Sequence, residues 1–465
     1  LLAANTVTLT PLATPGKLQS VLAVIEVEGE LRLNADGQGV KTRPMRVTAN
    51  LAYDEKTLTA EQGQLRHVVR HYKKAEADIK IASATIKNTL RDDVKLVCVD
   101  VGEESATVYS PLGPMLRDEL ELIKVPGEPA VWNGLLPTQP VKVGETWKPA
   151  DTTLAKLLSI EVVTQANVTA KLVEVKAGMA ALELEGTVAG AIGGIATDIN
   201  LKAKYNFDLT KRQVTWLALG LAEKRAIGHA EPGYEITARV RVSQAPLATS
   251  AELADGLLKS FDLTVRPGST LLTHDSAEGA FQLLHDRRWH VMADHRDATI
   301  LRLIDHGDLI AQCNITRLRD QPADKKLALD AFQQEITGTL GKNFEQVVNA
   351  EESTTDNGLR QLQVIIAGQA QDVPVQWTYY HLTDSAGHST SMVFTMDARL
   401  AERFAELDRS LVGTLVMRPR PIDEAEVATP TAGSEPAAAK SAREQPAAVK
   451  TTASSAGEPR PAIRK

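Results

Sequence analysis

The chain has 465 residues, of which 43% are hydrophobic, with a formal net charge of -7 and a pI near 5.9. That length exceeds what one hydrophobic core usually serves, so two folded domains plus unstructured length are expected. The acidic balance argues against a general nucleic-acid binder, which needs basic surface to displace phosphate counterions, and the lack of any apolar run of about 18 residues argues against a membrane-spanning helix.

The opening Leu1-Leu2-Ala3-Ala4-Asn5 reads as the clipped end of an apolar leader, after which the chain becomes strand-like, so export is the expectation, with a fragment boundary as the alternative that gives the same start. From about Leu18 to Val242 the pattern has period two. Val47, Ala49, Leu51 and Tyr53 alternate with polar neighbours, as do Ile236, Ala238, Val240 and Val242. Leu201, Ala203, Tyr205, Phe207 and Leu209 form another such set, and the turn Thr210-Lys211-Arg212-Gln213 leads into Val214, Trp216 and Ala218. Asn34-Ala35-Asp36-Gly37, Lys176-Ala177-Gly178 and Gly190-Ala191-Ile192-Gly193-Gly194 supply turns, because glycine tolerates the positive φ at which a chain reverses. The glycine cluster lies between strands rather than ahead of a helix, which is wrong for a phosphate cradle. Together these features predict a meandering antiparallel sheet.

His67 and His71 are four residues apart and share a strand face, but Arg66, Arg70 and Lys73 beside them disfavour a bound cation, so they read as solvated surface. Cys98 lies in an apolar strand-like run, as does Cys313 far downstream, and both read as small buried side chains rather than as a disulfide pair. Two helical signals interrupt the sheet: Leu116, Leu120 and Ile123 share a face, and Asp151 stands where it could cap a helix carrying Leu154, Leu157 and Leu158. The crossover between them carries Trp132 and Trp147. These indoles are expected to plug one end of the sheet, and they are also the candidate residues for the mouth of an apolar-ligand site. Glu183 and Glu185 share a strand face, where charge usually means solvent.

The alternation is lost at residues 246–268, which read as a linker with a short helical signal from Glu252 to Phe261. A second domain is expected at 269–418. It starts near Ser269 and contains a hairpin, Thr299 to Ile304 and Leu309 to Ile315, turned by Asp305-His306-Gly307-Asp308. Leu329, Phe332, Ile336 and Leu340 then mark a helix, without a Ser or Thr near its start at Ala328. Strands return at Leu362, Val364 and Ile366, followed by the hairpin Val375–Leu382 and Thr390–Thr395. The pattern of Leu400, Phe404, Leu407 and Leu411 predicts a closing helix from Leu400 to Leu415 with Asp397 as its cap. Residues 419–465, rich in Ala, Pro, Glu, Lys, Ser and Thr, are expected to be a disordered tail.

His274, His285, His290, His295 and His306, with Asp286, Asp294, Asp297 and Asp305, form the one histidine-rich region. His285, His290 and His295 are its candidate metal ligands, but the spacing matches no zinc module and no metal or other cofactor is expected. There is no G-x-S-x-G elbow and no cysteine in an activating context, so no catalytic residue is assigned.

The ordered pattern Phe281-Gln282-Leu283-Leu284, Arg288-Trp289-His290-Val291, the hairpin to Ile315, the helix around Phe332 and the Trp377-to-Leu415 unit resembles the PsbP-like superfamily over Ser269 to Met417. That resemblance implies an α/β/α sandwich used for docking or accessory roles, as in the extrinsic photosystem protein and bacterial envelope lipoproteins. Leu136-Pro137 through Val143-Gly144-Glu145-Thr146-Trp147 looks like the antiparallel sheets of exported bacterial proteins.

The expected fold class is therefore α+β: an antiparallel β-rich domain with short helices at 1–245, and a PsbP-like α/β/α sandwich at 269–418. The expected function is non-enzymatic binding or an accessory role in the periplasm or cell envelope, with a protein or envelope component as partner. Carriage of an apolar ligand such as a lipid in the β-rich domain is the alternative, and a metal-dependent enzyme built on the His285-to-His306 region is a third reading.

Overall fold

The computed structural model describes residues 6–34, 39–320 and 326–419. The expected leader at 1–5, the turn centred on 35–38 and the disordered tail, save residue 419, lie outside the described residues. The first twelve strands are β1 (Leu18–Asn34), β2 (Val40–Glu61), β3 (Gln64–Ile81), β4 (Ala84–Thr89), β5 (Leu96–Val101), β6 (Ala106–Tyr109), β7 (Thr146–Trp147), β8 (Val162–Lys176), β9 (Met179–Ile192), β10 (Ile195–Asp208), β11 (Gln213–Arg225) and β12 (Gly233–Pro246). They make one sheet in the order β6-β5-β3-β2-β1-β12-β11-β10-β9-β8-β7, with β4 paired to β3. Then come β13 (Leu272–Ser276), β14 (Phe281–His285), β15 (Trp289–Asp294), β16 (Thr299–Asp305), β17 (Asp308–Arg317), β18 (Phe344–Thr354), β19 (Arg360–Ala370), β20 (Val373–Thr383), β21 (Ser389–Asp397) and β22 (Val416–Met417). β13, β14 and β22 form a three-stranded sheet, and the remaining seven run in the order β15-β16-β17-β21-β20-β19-β18.

The expected α+β class with an α/β/α sandwich is overturned, because the protein is mostly antiparallel sheet in three sheets, with 55% strand against 15% helix. Two local causes are visible. The alternating segments extend into strands of up to 22 residues, and the closing helix does not run from Leu400 to Leu415. It breaks at Glu406, which takes a left-handed φ of 67°, leaving α5 (Ala401–Phe404) and α6 (Leu407–Val412). The break turns Asp408 inward, beside Leu411 and Val412, in place of Leu407.

The chain forms two compact units. Leu1–Asp275, Gln282–Met292 and Arg302–Leu309 belong to the first, and Ser276–Phe281, Ala293–Leu301 and Ile310–Lys465 to the second. In the first unit the period-two pattern puts one apolar side chain per residue pair on one face of the twelve-stranded sheet. Val21, Ala23 and Ile25 of β1, Ala49, Leu51 and Tyr53 of β2, and Ala238, Val240 and Val242 of β12 are all buried there. The opposite face of β10 and β12 carries exposed Asp198, Lys202, Lys204, Arg239 and Arg241.

The crossover at residues 110–161 lies against the apolar face and carries α1 (Arg117–Ile123), β7 and α2 (Asp151–Leu158). Its Leu120, Ile123, Trp132, Leu135, Leu154 and Leu157 share a single core with strands from β5 to β8. This requires the sheet to curl. β5 and β9 are seven neighbours apart in the strand order, about 30 Å or more if flat. Yet Lys156 donates at 2.7 Å to the carbonyls of Gly102 and Glu103 just beyond β5, while Ile160 reaches within 2.9 Å of where a β-carbon on Gly190 of β9 would stand. The sheet therefore wraps its own crossover, as expected once a twisted sheet exceeds about ten strands.

The segment read as a linker packs on the other face of the same sheet. Leu253, and Leu258 of α3 (Asp255–Leu258), are buried with Val69, Leu96, Cys98 and Tyr109. The buried Lys56 donates to the Leu253 carbonyl at 2.9 Å and pairs with Asp255 at 2.7 Å. In the second unit α4 (Leu329–Leu340), whose start at Ala328 has no side-chain cap, lays Phe332, Ile336 and Leu340 against Leu362, Val364, Ile366, Val375, Trp377 and Tyr379. Tyr380 meets Phe394 edge-on at 5.8 Å, and Phe394 in turn meets Phe404 at 5.6 Å. Asp397 accepts from the Arg399 amide at 2.9 Å and caps the short turn ahead of α5.

A buried guanidinium under the crossover

β2 and β3 pair so that Tyr53 faces Tyr72 and Glu55 faces Arg70. All four side chains point to the apolar face, because residues two apart share a side. Arg70 is 2% exposed, although the sequence groups it with solvated cations around His67 and His71. Its Nε donates to Glu55 Oε2 at 2.9 Å, and its Nη1 to Glu128 Oε2 at 3.0 Å. Its Nη2 donates to Glu128 Oε1, which completes a two-pronged fork. The guanidinium also stands 4.8 Å from the centroid of the Tyr53 ring, and the Tyr53 and Tyr72 rings are 4.8 Å apart.

Glu128 comes from the crossover, where Pro126-Gly127-Glu128-Pro129 forms the tip that reaches the sheet. Gly127 takes φ +92°, and a β-carbon there would lie 3.0 Å from Val240 Cγ1. Its carbonyl accepts from Trp132 Nε1 at 3.1 Å and its amide donates to Leu157 O at 2.7 Å. Glu128 itself accepts from the Ala130 amide at 2.9 Å.

The electrostatics follow from burial and pairing. Burial pushes the Glu55 carboxyl up, and the Arg70 charge only partly offsets it. Burial also works against Glu128, but the charge and hydrogen bonds of Arg70 outweigh it and hold this carboxyl below its ordinary value. Burial opposes the charge on Arg70, yet Glu128, Tyr53 and Glu55 together raise it well above its ordinary value. Burying charges is costly and a buried pair is weak evidence for stability, so a role in switching or register is the better-attested use of such a cluster. Beside it lies a cavity with room for about one water molecule, walled by Ala23, Leu51, Tyr53, Ile123, Val125 and Val242.

Of the residues singled out from sequence, Trp132 adjoins this cluster through its bond to Gly127 O and the others fall elsewhere. Trp132 is buried at 1% in the crossover core, and half-buried Trp147 donates from Nε1 to Leu135 O at 2.8 Å. The Leu135 carbonyl also accepts from Tyr205 of β10 at 3.3 Å, so the crossover is tied to the far side of the sheet as well. His285 is buried, its Nδ1 is 2.9 Å from Asp286 O, and burial pushes it down to about 4. His290, also pushed down to about 4 by burial, stands 3.7 Å from Glu231. His295 is exposed, and its amide donates to Ala298 O at 3.2 Å. Among the described residues no group of three His, Cys, Asp or Glu side chains could hold a metal ion. His67 and His71 are half-buried on the opposite face of β3, with His67 Nε2 3.3 Å from the Tyr109 hydroxyl, and burial lowers both. Sequence reasoning missed the Arg70 cluster because Arg70 and Glu128 are 58 residues apart. The available signal was parity, since Arg70 shares its strand face with Val68 and Tyr72.

No family model matches the chain, and no curated protein does. Among solved structures, the chain is similar to PA94 of Pseudomonas aeruginosa, a protein of unknown function, at 12% identity and a TM-score of 0.23, over 32% of this chain and 98% of that one. It is similar to the PsbP of the cyanobacterium Synechocystis sp. PCC 6803 at 13% identity and a TM-score of 0.25, over 37% of this chain and 99% of that one. The PsbP-like resemblance thus has a weak structural counterpart over about a third of the chain. A structure of lipovitellin with its lipid–protein interactions aligns at 8% identity and a TM-score of 0.31, over 72% of this chain but only 32% of that one. At such identities and scores none of the three carries an argument about function. No helix among the described residues is long and apolar enough to cross a membrane.

Proposed function

We propose that this is a non-enzymatic binding protein of the bacterial envelope whose β-rich unit takes up an apolar ligand between the sheet and the crossover. The observation that supports it is the way the apolar face is covered. The sheet curls without closing on itself, and its interior is filled by a crossover segment rather than by a completed strand ring. That segment pairs with the sheet near its end, through the two-residue β7, the bonds of Gly144 and Glu145 to Leu172 of β8 and that of Glu161 to Ala191 of β9, while Val141 bridges Val7 ahead of β1. Between residues 116 and 140 it is held to the sheet by side-chain contacts such as Glu128 to Arg70 and Asn133 to the Gly63 carbonyl. A cover held by side chains can move away while the strand ladder stays intact, which ladder closure would forbid. The envelope location is supported by the sequence resemblance of residues 269–417 and of the Leu136-to-Trp147 stretch.

Titration with the neutral fluorophore N-phenyl-1-naphthylamine tests the reading. Saturable binding of one molecule per chain is expected, together with faster amide exchange in residues 110–161 on binding. Absence of saturable binding by folded protein overturns it.

A further inference from the structure

We propose that Arg70 is the head-group receptor of this site and that the occupant is a long-chain monocarboxylate, whose carboxylate replaces that of Glu128 on the guanidinium fork. This rests on the apolar-ligand reading and adds the chemical class of the ligand.

The Arg70 guanidinium and the Glu128 carboxylate line this cavity, and the rest of its wall includes the hydrocarbon and aromatic side chains of Ala23, Leu51, Tyr53, Ile123, Val125 and Val242. A buried arginine in apolar surroundings recognises planar, two-oxygen anions through its parallel N–H groups. In this structure those groups are already occupied by a carboxylate, that of Glu128, through Nη1 and Nη2. Of the two carboxylates on Arg70, Glu128 is the one able to leave. It belongs to the crossover rather than the sheet, and its side chain is 12% exposed against 2% for Glu55. Glu55 stays on Nε, fixed by the β2–β3 register.

Charge counting selects the class. Arg70 with Glu55 and Glu128 carries one carboxylate more than it has cations, so the cluster has no unused positive charge. Exchange of one carboxylate for another leaves the buried charge unchanged, whereas a phosphate dianion adds a negative charge where desolvation is costly. A neutral alcohol or ester head leaves the guanidinium fork unpaired. The cavity now has room for about one water molecule, so the hydrocarbon chain needs Ile123 and Val125 to withdraw along with Glu128. Glu128 is thus an internal ligand mimic that holds the cover shut when the site is empty.

Displacement of N-phenyl-1-naphthylamine from the full chain by dodecanoate, dodecanol and dodecyl phosphate at pH 8 reads the head-group preference without any mutation. Dodecanoate is expected to compete about tenfold or more better than dodecanol. In Glu128→Gln, which keeps the side-chain size and removes the competing charge, dodecanoate should tighten by about a further tenfold while dodecanol stays unchanged. Equal competition by dodecanoate and dodecanol in the wild-type chain overturns the role of Arg70 while leaving an apolar site in place. Better competition by dodecyl phosphate overturns the carboxylate class. Failure of the fluorophore to bind at all removes the apolar-ligand reading and this one with it.

Discussion

Gly127 of the crossover packs against Val240 of β12 so closely that a β-carbon built on it would lie 3.0 Å from Val240 Cγ1, and its φ of +92° is a backbone state that side-chain-bearing residues rarely adopt. The backbone angle and the close approach at the tip of the crossover both favour a residue without a side chain. Gly127→Ala is expected to lower stability by about 2–3 kcal/mol, combining backbone strain with overpacking. Gly16, with φ +83° and nothing within 4 Å of the added carbon, separates the two effects. Gly16→Ala should cost only about 1 kcal/mol. Urea midpoints of the two variants check this, and equal losses would show that Gly127 is there for its backbone angle alone.

The two carboxylates on Arg70 respond to pH with opposite signs. Glu128 is held below its ordinary value, so its contribution to stability is present above the unfolded value and is lost as pH falls through the folded one. Glu55 is raised by burial, so its contribution is full below the unfolded value and is lost as pH rises through the folded one. Glu55→Gln removes the second effect and frees Arg70 to pair more fully with Glu128. The stability of this variant relative to wild type should therefore rise steadily from pH 4 to pH 7. Denaturation midpoints across that range measure the slope, and a flat or falling difference contradicts the assignment.

Much of the first unit was legible because period two is a strong signal. The hairpin turned at Arg212, with φ 54°, joins β10 to β11 as the alternation of Tyr205, Phe207 and Val214 implies. The His306-Gly307 turn, with φ 51° and 87°, joins β16 to β17 in the same way. Placing Trp132 in a plug was legible from its size and its position in a crossover. The balance of the second unit was not. Leu400, Phe404, Leu407 and Leu411 keep helical spacing across a point where the backbone turns left-handed at Glu406, and no local pattern marks that break. The Arg70 cluster is equally hidden, since a charged residue in a strand is ordinarily read as surface and its partner Glu128 arrives from a separate segment.

The thiols give a test of packing. Cys98 and Cys313 are both free and fully buried, and burial pushes the Cys98 thiol up to about 12. Burial also raises Cys313 well above its ordinary value, with the charge of Asp408 adding to it. Neither can present a thiolate at neutral pH. Native protein treated with a thiol-reactive aromatic disulfide at pH 8 should remain unlabelled over a period in which denaturant-unfolded protein takes up two equivalents. Rapid labelling of either residue would mean that its strand opens far more readily than its burial implies.

Tyr380 and Asp408 tie α6 to the sheet. The tyrosine hydroxyl donates to Asp408 Oδ2 at 2.8 Å and accepts from the Gln363 side-chain amide, all within the buried interior of the second unit. Gln363 is 1% exposed, and its Oε1 has no partner among the described atoms, so the tyrosine hydroxyl is what satisfies its amide. Tyr380→Phe leaves a buried carboxylate and a buried amide each short of one hydrogen bond, and should cost about 2–3 kcal/mol. Asp408→Asn keeps an acceptor oxygen for the hydroxyl and removes the charge, so it should cost less. If the two residues act through this bond, the double variant should lose less stability than the sum of the two single ones, by about 1 kcal/mol or more. Additive losses in denaturant unfolding would show that α6 is held by Leu411, Val412 and Phe404 alone, and that the buried tyrosine is there for its ring against Phe394.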